Sequence, residues 1–222
     1  RAITEIKNIL EHQSLIDDEV LREAFGIEVY KDLLNPHSML VEGRTDKIIF
    51  QKVLQLLGKS NVGITNGHGS NIDIIASKLN YENISILIIV DDDKEGKKYQ
   101  KNIINIGGIY NITNVFTIRD IVQDLIEGGT TEDLLDKDYI ISQFRIFCNI
   151  IGVKEDGCIL NKDKPVIEQV RNFLKQKNIY TDCNMDLFKK QLSDNFNPNS
   201  TSLNDKNPLL KKLGNEIIKK LK

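Results

Sequence analysis

The stretch Ile84-Ser85-Ile86-Leu87-Ile88-Ile89-Val90 runs without charge, glycine or proline straight into Asp91-Asp92-Asp93. A continuous, β-branched apolar run of this kind reads as a strand covered on both faces, the habit of parallel sheets layered between helices. Its neighbours carry the same alternation. Ser38 to Glu42 is a short apolar strand stopped by Gly43, and Ile48, Ile49, Val53, Leu56 and Leu57 follow as a helical stripe. Val62 to Thr65 is a second strand, Asn66-Gly67-His68-Gly69-Ser70 a loop, and Ile72, Ile75, Ala76 and Leu79 a second helical face. A helix over about 95–106 and a strand over 114–117 complete an α/β pattern of right-handed crossovers in a doubly wound parallel sheet.

The ends of the chain read differently. Ile3, Ile6, Ile9 and Leu10, then Val20, Leu21, Ala24 and Phe25, recur at helical spacing, so 1–36 is expected to be a helical lead-in or linker before a core over 37–120. Beyond it, 121–222 is expected to be mostly helical, with helices near 139–150, 165–175, 186–192 and 209–221 and first-turn prolines at Pro165 and Pro208. The run from Asn195 to Asn207 reads as a polar loop or linker.

In an open α/β sheet, ligands bind off the carboxyl ends of the strands. Two strands here end in acid: Glu42 closes the first, with Asp46 one helical turn on, and Asp91 and Asp93 follow the third, before Gly96. Taken singly, such acids also cap helices and fill turns. Together they offer the all-oxygen donor set that Mg²⁺ requires, and a pair of such ions can stabilise both the attacking and the leaving oxygen of a phosphoryl displacement.

Leu40-Val41-Glu42-Gly43-Arg44-Thr45-Asp46 and Val90-Asp91-Asp92-Asp93-Lys94-Glu95-Gly96 resemble the two signature motifs of the Toprim domain. That domain is shared by topoisomerases, bacterial primases, RecR-type recombination proteins, small RNases and the overcoming-lysogenization-defect (OLD) nucleases. The resemblance covers about Ser38 to Thr117 and implies a Toprim, Rossmann-like parallel sheet flanked by helices. It implies that Glu42 assists acid–base chemistry or binds metal and that Asp91 and Asp93 bind Mg²⁺. The flanks are similar to the OLD branch. Val20 to Gly26, followed by Asp32-Leu33-Leu34, resembles the linker from an ATPase to the Toprim domain, and the ExxxD form of the first motif matches Glu42 and Asp46. Thr131-Glu132-Asp133-Leu134-Leu135 resembles an acidic element that completes the metal site, which makes Glu132 and Asp133 further ligand candidates. The branch also places a functional lysine in its C-terminal helical part, matched here by Lys211, with Lys212 and Lys206 as rivals.

The implied activity is hydrolysis of DNA phosphodiester bonds by an endonuclease using one or two Mg²⁺ (or Mn²⁺) ions, in an ATPase-coupled protein of phage defence. DNA and an upstream ATPase domain or subunit are the implied partners, the chain's opening on Arg1 being read as a missing neighbour; a homo-oligomer is left open. The alternatives are a small Toprim ribonuclease acting on structured RNA and a non-catalytic nucleic-acid-binding module; a topoisomerase is disfavoured because no tyrosine sits in a recognisable motif.

Composition narrows the classes further. Lys+Arg 30 against Asp+Glu 32 gives a net charge of -2, so nucleic acid would need a local basic patch, for which Lys94, Lys97, Lys98 and Lys101 are candidates. Three scattered cysteines and no long apolar run imply a reduced, cytoplasmic protein without a membrane partner. The loop Asn66 to Ser70 follows a strand, so its backbone N–H groups are candidate phosphate contacts with His68 assisting. Gly58-Lys59-Ser60 ends a helix and is read as a helix stop, since a P-loop would follow a strand.

Overall fold

Four parallel strands form the sheet: β1 (Ser38–Val41), β2 (Gly63–Asn66), β3 (Leu87–Val90) and β4 (Val115–Thr117), in the order β2-β1-β3-β4. Met39, Leu40 and Val41 stand level with Leu87, Ile88 and Ile89. The computed structural model describes residues 32, 35, 37–81, 83–155, 160–161 and 163–221. The helical lead-in expected over 1–36 lies outside them apart from Asp32 and Asn35.

Strand side chains alternate between faces, and both faces of this sheet are covered. Met39, Val41, Leu87 and Ile89 join a core with Ile49, Phe50, Val53 and Leu54 of α1 (Arg44–Leu56). Leu40, Ile88 and Val90 face the other way, onto Ile72, Ile75 and Leu79 of α2 (Ile72–Tyr81) and Tyr99 and Ile103 of α3 (Lys94–Ile106). This is why the apolar run before Asp91 shows no polar alternation. Only its last four residues pair in the sheet; Ile84 instead bonds back to Leu79 O at 2.9 Å. Gly58, at φ +79°, and Lys59 bond back to the last turn of α1, so the Gly-Lys-Ser triplet closes a helix.

After β4 come α4 (Ile118–Ile121), a 3₁₀ turn over Thr131–Leu134, and α5 (Lys137–Ile150), α6 (Val166–Gln176), α7 (Asp182–Asn195), α8 (Ser200–Asp205) and α9 (Pro208–Lys220). Pro208 takes the first turn of α9 as expected, whereas Pro165 sits one position earlier, as the N-cap of α6. The polar run 195–207, expected to be a loop, contains α8. Asn199 accepts a bond from Ser202 N at 2.8 Å, its own N–H reaches Ser202 Oγ at 2.9 Å, and Leu203 is buried beneath. A capping box and one apolar anchor thus outweigh polar composition.

Two devices fix α7 in place. Phe188 meets Phe147 at 5.4 Å and Phe144 at 6.0 Å between ring centroids, and Phe144 meets Phe173 at 5.2 Å, joining α5, α6 and α7. At the far end, Lys52 Nζ of α1 donates to the carbonyls of Ser193, Asp194 and Phe196 at 2.9, 3.1 and 2.6 Å, a cation at a helix C-terminus. Among the described residues, no helix is long and apolar enough to cross a membrane.

Phe188 is fully buried. Phe188→Ala is expected to lower stability by about 3–5 kcal/mol, the usual cost of emptying an aromatic core position; urea unfolding followed by circular dichroism measures it.

Candidate metal centre

The strand order changes direction between β1 and β3, and the crevice of such a sheet lies off the carboxyl ends at that point. Glu42 and Asp91 are the residues found there. Glu42 follows β1 directly, and Gly43 begins α1 with its N–H bonded to Asp46 Oδ2 at 2.8 Å, so Asp46 closes the first turn of the helix that Glu42 precedes. The ExxxD spacing is therefore the geometry of a strand-to-helix turn with an acid at the third helical position. Across the switch point, Asp91 N donates to Glu42 Oε2 at 3.3 Å.

The third side comes from the 3₁₀ turn. Thr131 N donates to Asp91 Oδ1 at 3.0 Å, and Thr130 Oγ1 donates to Glu132 Oε2 at 2.6 Å. Glu132 is 1% exposed, and its Oε1 has no hydrogen-bond partner; Lys189 Nζ of α7 stands 3.8 Å from it. Glu42, Asp46, Asp91 and Lys189 line one cavity of about 540 Å³, with Asn66, His68, Arg44, Asp186 and Lys190 around them. A larger groove of about 940 Å³ between α2 and α3, edged by Ile74 and Tyr81, gathers no comparable set of charges.

The electrostatics follow from four carboxylates sharing one ammonium. Burial, then the charges of Asp46 and Asp93, pushes Glu42 up to about 7. Burial, then Glu132, pushes Asp46 up to about 6. Asp91 is raised well above the carboxylate range by burial and then by Asp46, Glu42 and Glu132. Lys189 is pushed up in turn, by Glu132 first and then by Asp91, Asp46 and Glu42, so it stays charged.

The expected site residues divide. Glu42, Asp46, Asp91 and Glu132 come together. Asp93 caps α3 through Gly96 N at 2.8 Å and stands near enough to Glu42 to raise its pKa. Gly96 has to be glycine, because a Cβ there would fall 2.1 Å from Asp91 O. Asp133 is spoken for otherwise: it accepts from Thr130 N at 2.8 Å and from Val166 N at 2.8 Å, tying the 3₁₀ turn to the start of α6. The structure does not bring the expected Lys211 to the cavity. It lies on α9, and its rival Lys212 pairs with Asp124 at 2.7 Å.

The lysine that lines the cavity is Lys189, with Lys190 beside it, and not Lys211. Lys189 has no sequence motif, but it sits in the buried stripe Met185, Phe188, Leu192 of α7, and a lysine in an apolar stripe is the available signal. The loop over 66–70 offers no backbone cradle for phosphate: Gly67 N bonds Val41 O, Gly69 N bonds Glu42 O, and His68 N bonds Asn66 Oδ1. His68 nevertheless lines the cavity. Of the basic run on α3, Lys97 and Lys98 pair with Asp92 and Glu95.

The donor set fits a hard divalent cation. It is oxygen only and net negative, and it includes a buried carboxylate oxygen at Glu132 that accepts no hydrogen bond from the described residues and faces the Lys189 ammonium at 3.8 Å. Among the described residues, no group of three or more His, Cys, Asp or Glu side chains is arranged to hold a metal ion by itself. Mg²⁺ needs none, since it is commonly held by one or two carboxylates while waters and substrate phosphates fill the remaining positions.

A four-stranded parallel sheet flanked by helices, with acids gathered at the carboxyl ends of its first and third strands, has the Rossmann-like architecture of a Toprim domain, a class associated with metal-dependent, nuclease-like processing of nucleic acids. Residues 36–93 match the family model for the overcoming lysogenization defect protein-like Toprim domain, and the chain carries a Toprim domain of that OLD type. Comparison with curated proteins and with solved structures gave no match. The family match ends at Asp93, so the assembly of Glu132 and Lys189 with it is read from the fold.

The raised acids set a pH dependence. Between about pH 4 and 7 the folded chain binds protons at Glu42 and Asp46 that the unfolded chain does not, so their contribution to stability falls as pH rises through that window. Metal-free protein is expected to show a higher urea midpoint at pH 5.5 than at 7.5 from these groups, with millimolar Mg²⁺ narrowing the gap at pH 7.5 and leaving Asp46→Asn less affected.

Proposed function

We propose that this cavity hydrolyses phosphodiester bonds of DNA as a Mg²⁺- or Mn²⁺-dependent endonuclease. The observation that carries the reading is the convergence of Glu42, Asp46, Asp91 and Glu132 on one lysine at the switch point of a Toprim sheet. Asp46, Asp91 and Glu132 are the residues that would hold a cation, with Glu42 and Asp93 beside them. When bound, a divalent ion there supplies Lewis-acid stabilisation of charge on the transferring phosphoryl group.

The remaining work falls to the chain. Glu42, titrating at about 7, is suited to accept a proton from the attacking water as the new P–O bond forms. The bond from phosphorus to the leaving deoxyribose oxygen then breaks, that oxygen takes its proton from solvent water, and the charge gathering on it before then needs a fixed positive group. Lys189 serves that need as a charge and is a poor proton donor, because its carboxylate neighbours hold the proton on. Arg44 and Lys190 at the walls are placed to meet the flanking phosphates. The OLD-like match further supports reading the chain as the nuclease part of an ATPase-coupled phage-defence protein, with an ATPase domain or subunit as the controlling partner.

Supercoiled plasmid incubated with the chain and Mg²⁺ or Mn²⁺ is expected to be nicked or linearised. EDTA, Glu42→Ala and Asp91→Ala are expected to abolish the cleavage. A folded, cation-binding chain that spares plasmid but cuts structured RNA overturns the DNA assignment. In the same assay Lys189→Met is expected to cost about 10²- to 10³-fold in rate, as loss of a charge-stabilising donor does. Lys211→Met is expected to leave the rate unchanged; the reverse ranking moves the functional lysine to α9.

A further inference from the structure

Asp92 lies between two expected cation ligands, yet its carboxylate meets other groups. It is 3% exposed, and Oδ2 accepts from Gly128 N at 2.9 Å and from Lys97 Nζ at 3.0 Å. Oδ1 faces Thr117 Oγ1 at 3.4 Å, a weak bond to the last residue of β4. Its backbone N–H donates to Gly129 O at 3.0 Å, and the next contact along is Thr131 N to Asp91 Oδ1.

No helix or strand spans 122–130, the segment that delivers Glu132 to the site. Its ties to the end of β3 are these bonds, laid down in order: Gly128 to the Asp92 side chain, Gly129 to the Asp92 backbone, Thr131 to the Asp91 side chain. Gly128 turns at φ +71°, a left-handed conformation that glycine adopts without strain and that directs its N–H into the Asp92 carboxylate.

We propose that Asp92 is a positioning residue that docks the 128–131 segment onto the end of β3 and so holds Glu132 within the carboxylate cluster. Its consequence for cation binding rests on the metal-site reading above; the docking itself does not. A carboxylate suits the position because one group has to accept from a backbone N–H and an ammonium on the same oxygen while facing a hydroxyl with the other. Asparagine keeps an oxygen for Gly128 but offers Lys97 no charge, and alanine offers neither.

The first readout is amide hydrogen exchange without metal. Asp92→Ala is expected to speed exchange at Gly128 and Thr131 by about ten-fold or more, the scale of one lost charge-assisted bond. The β1 and β3 amides should change far less. Asp92→Asn should recover most of the protection, and Lys97→Met, which removes only the exposed partner, should leave it intact. The second readout is Mn²⁺ binding by calorimetry. Asp92→Ala is expected to weaken it by about 10- to 100-fold, as loss of a group that orients a ligand does. The double variant with Glu132→Ala should bind no more weakly than Glu132→Ala alone. Unchanged exchange at Gly128 and Thr131, or a Mn²⁺ loss that adds in full to that of Glu132→Ala, overturns the proposal. If the wild-type chain binds no Mn²⁺, the metal-site reading falls, and the exchange result alone decides the docking.

Discussion

Four carboxylates drawn out of water around one ammonium repel one another, and most of the surrounding structure bears on keeping them there. Two like charges about 4 Å apart cost on the order of 4 kcal/mol at an effective dielectric near 20, so no such cluster persists without compensation. The chain supplies some. Gly43 N–H holds Asp46, Asp91 N–H holds Glu42, Thr131 N–H holds Asp91, and the Thr130 hydroxyl holds Glu132. These donors and Lys189 leave a negative surplus, which protons or a cation must balance; the upward shifts of Glu42 and Asp46 show the proton solution. A cluster that takes up protons to relieve like charge can be relieved equally by a cation, which is why raised carboxyl groups gather at functional sites.

The surplus also explains the division of the molecule. The sheet brings Glu42, Asp46 and Asp91 together without help, because they follow neighbouring strands at a switch point. Glu132 and Lys189 come from beyond it: Glu132 from the 3₁₀ turn tied to the end of β3, and Lys189 from α7, held by packing some distance from the cluster. Lys189 depends on α7, which the Phe144–Phe147–Phe188 contacts fix on one side and Lys52 fixes at its end. The 3₁₀ turn thus brings a fourth acid, and the helical frame a counter-charge, to an edge the sheet has already prepared.

This division marks what was legible in the sequence. The strands, their order of appearance, and Glu42, Asp46 and Asp91 were legible because each is local: an apolar run, a turn, an acid at a fixed offset. Glu132 was legible only through resemblance, and the choice between it and Asp133 was not. The two are adjacent, and only the fold shows that Asp133 is occupied by Thr130 N and Val166 N while one oxygen of Glu132 accepts no hydrogen bond from the described residues. Lys189 was missed because its position is set by the packing of α7 on α1 and α5, a long-range contact with no local motif. The polar run over 195–207 misled in the opposite sense, since composition conceals a capping box that only spacing discloses.

Lys189 also constrains how protons can move in the cavity. An ammonium whose charge is favoured by four neighbouring carboxylates cannot release a proton near neutrality, so it does not serve as the acid for a leaving group. On the proposed mechanism proton transfer falls instead to Glu42, which burial and the neighbouring charges push up to about 7. Glu42 stands on the β1–α1 turn, whereas Lys189 reaches in from α7, so the group proposed to move the proton and the group that holds charge belong to different parts of the chain. The β1–α1 turn is set by local bonds within a few residues, and α7 by contacts between distant helices. Any loosening of the helical frame should therefore remove charge compensation first and leave the acids of the β1–α1 turn in place.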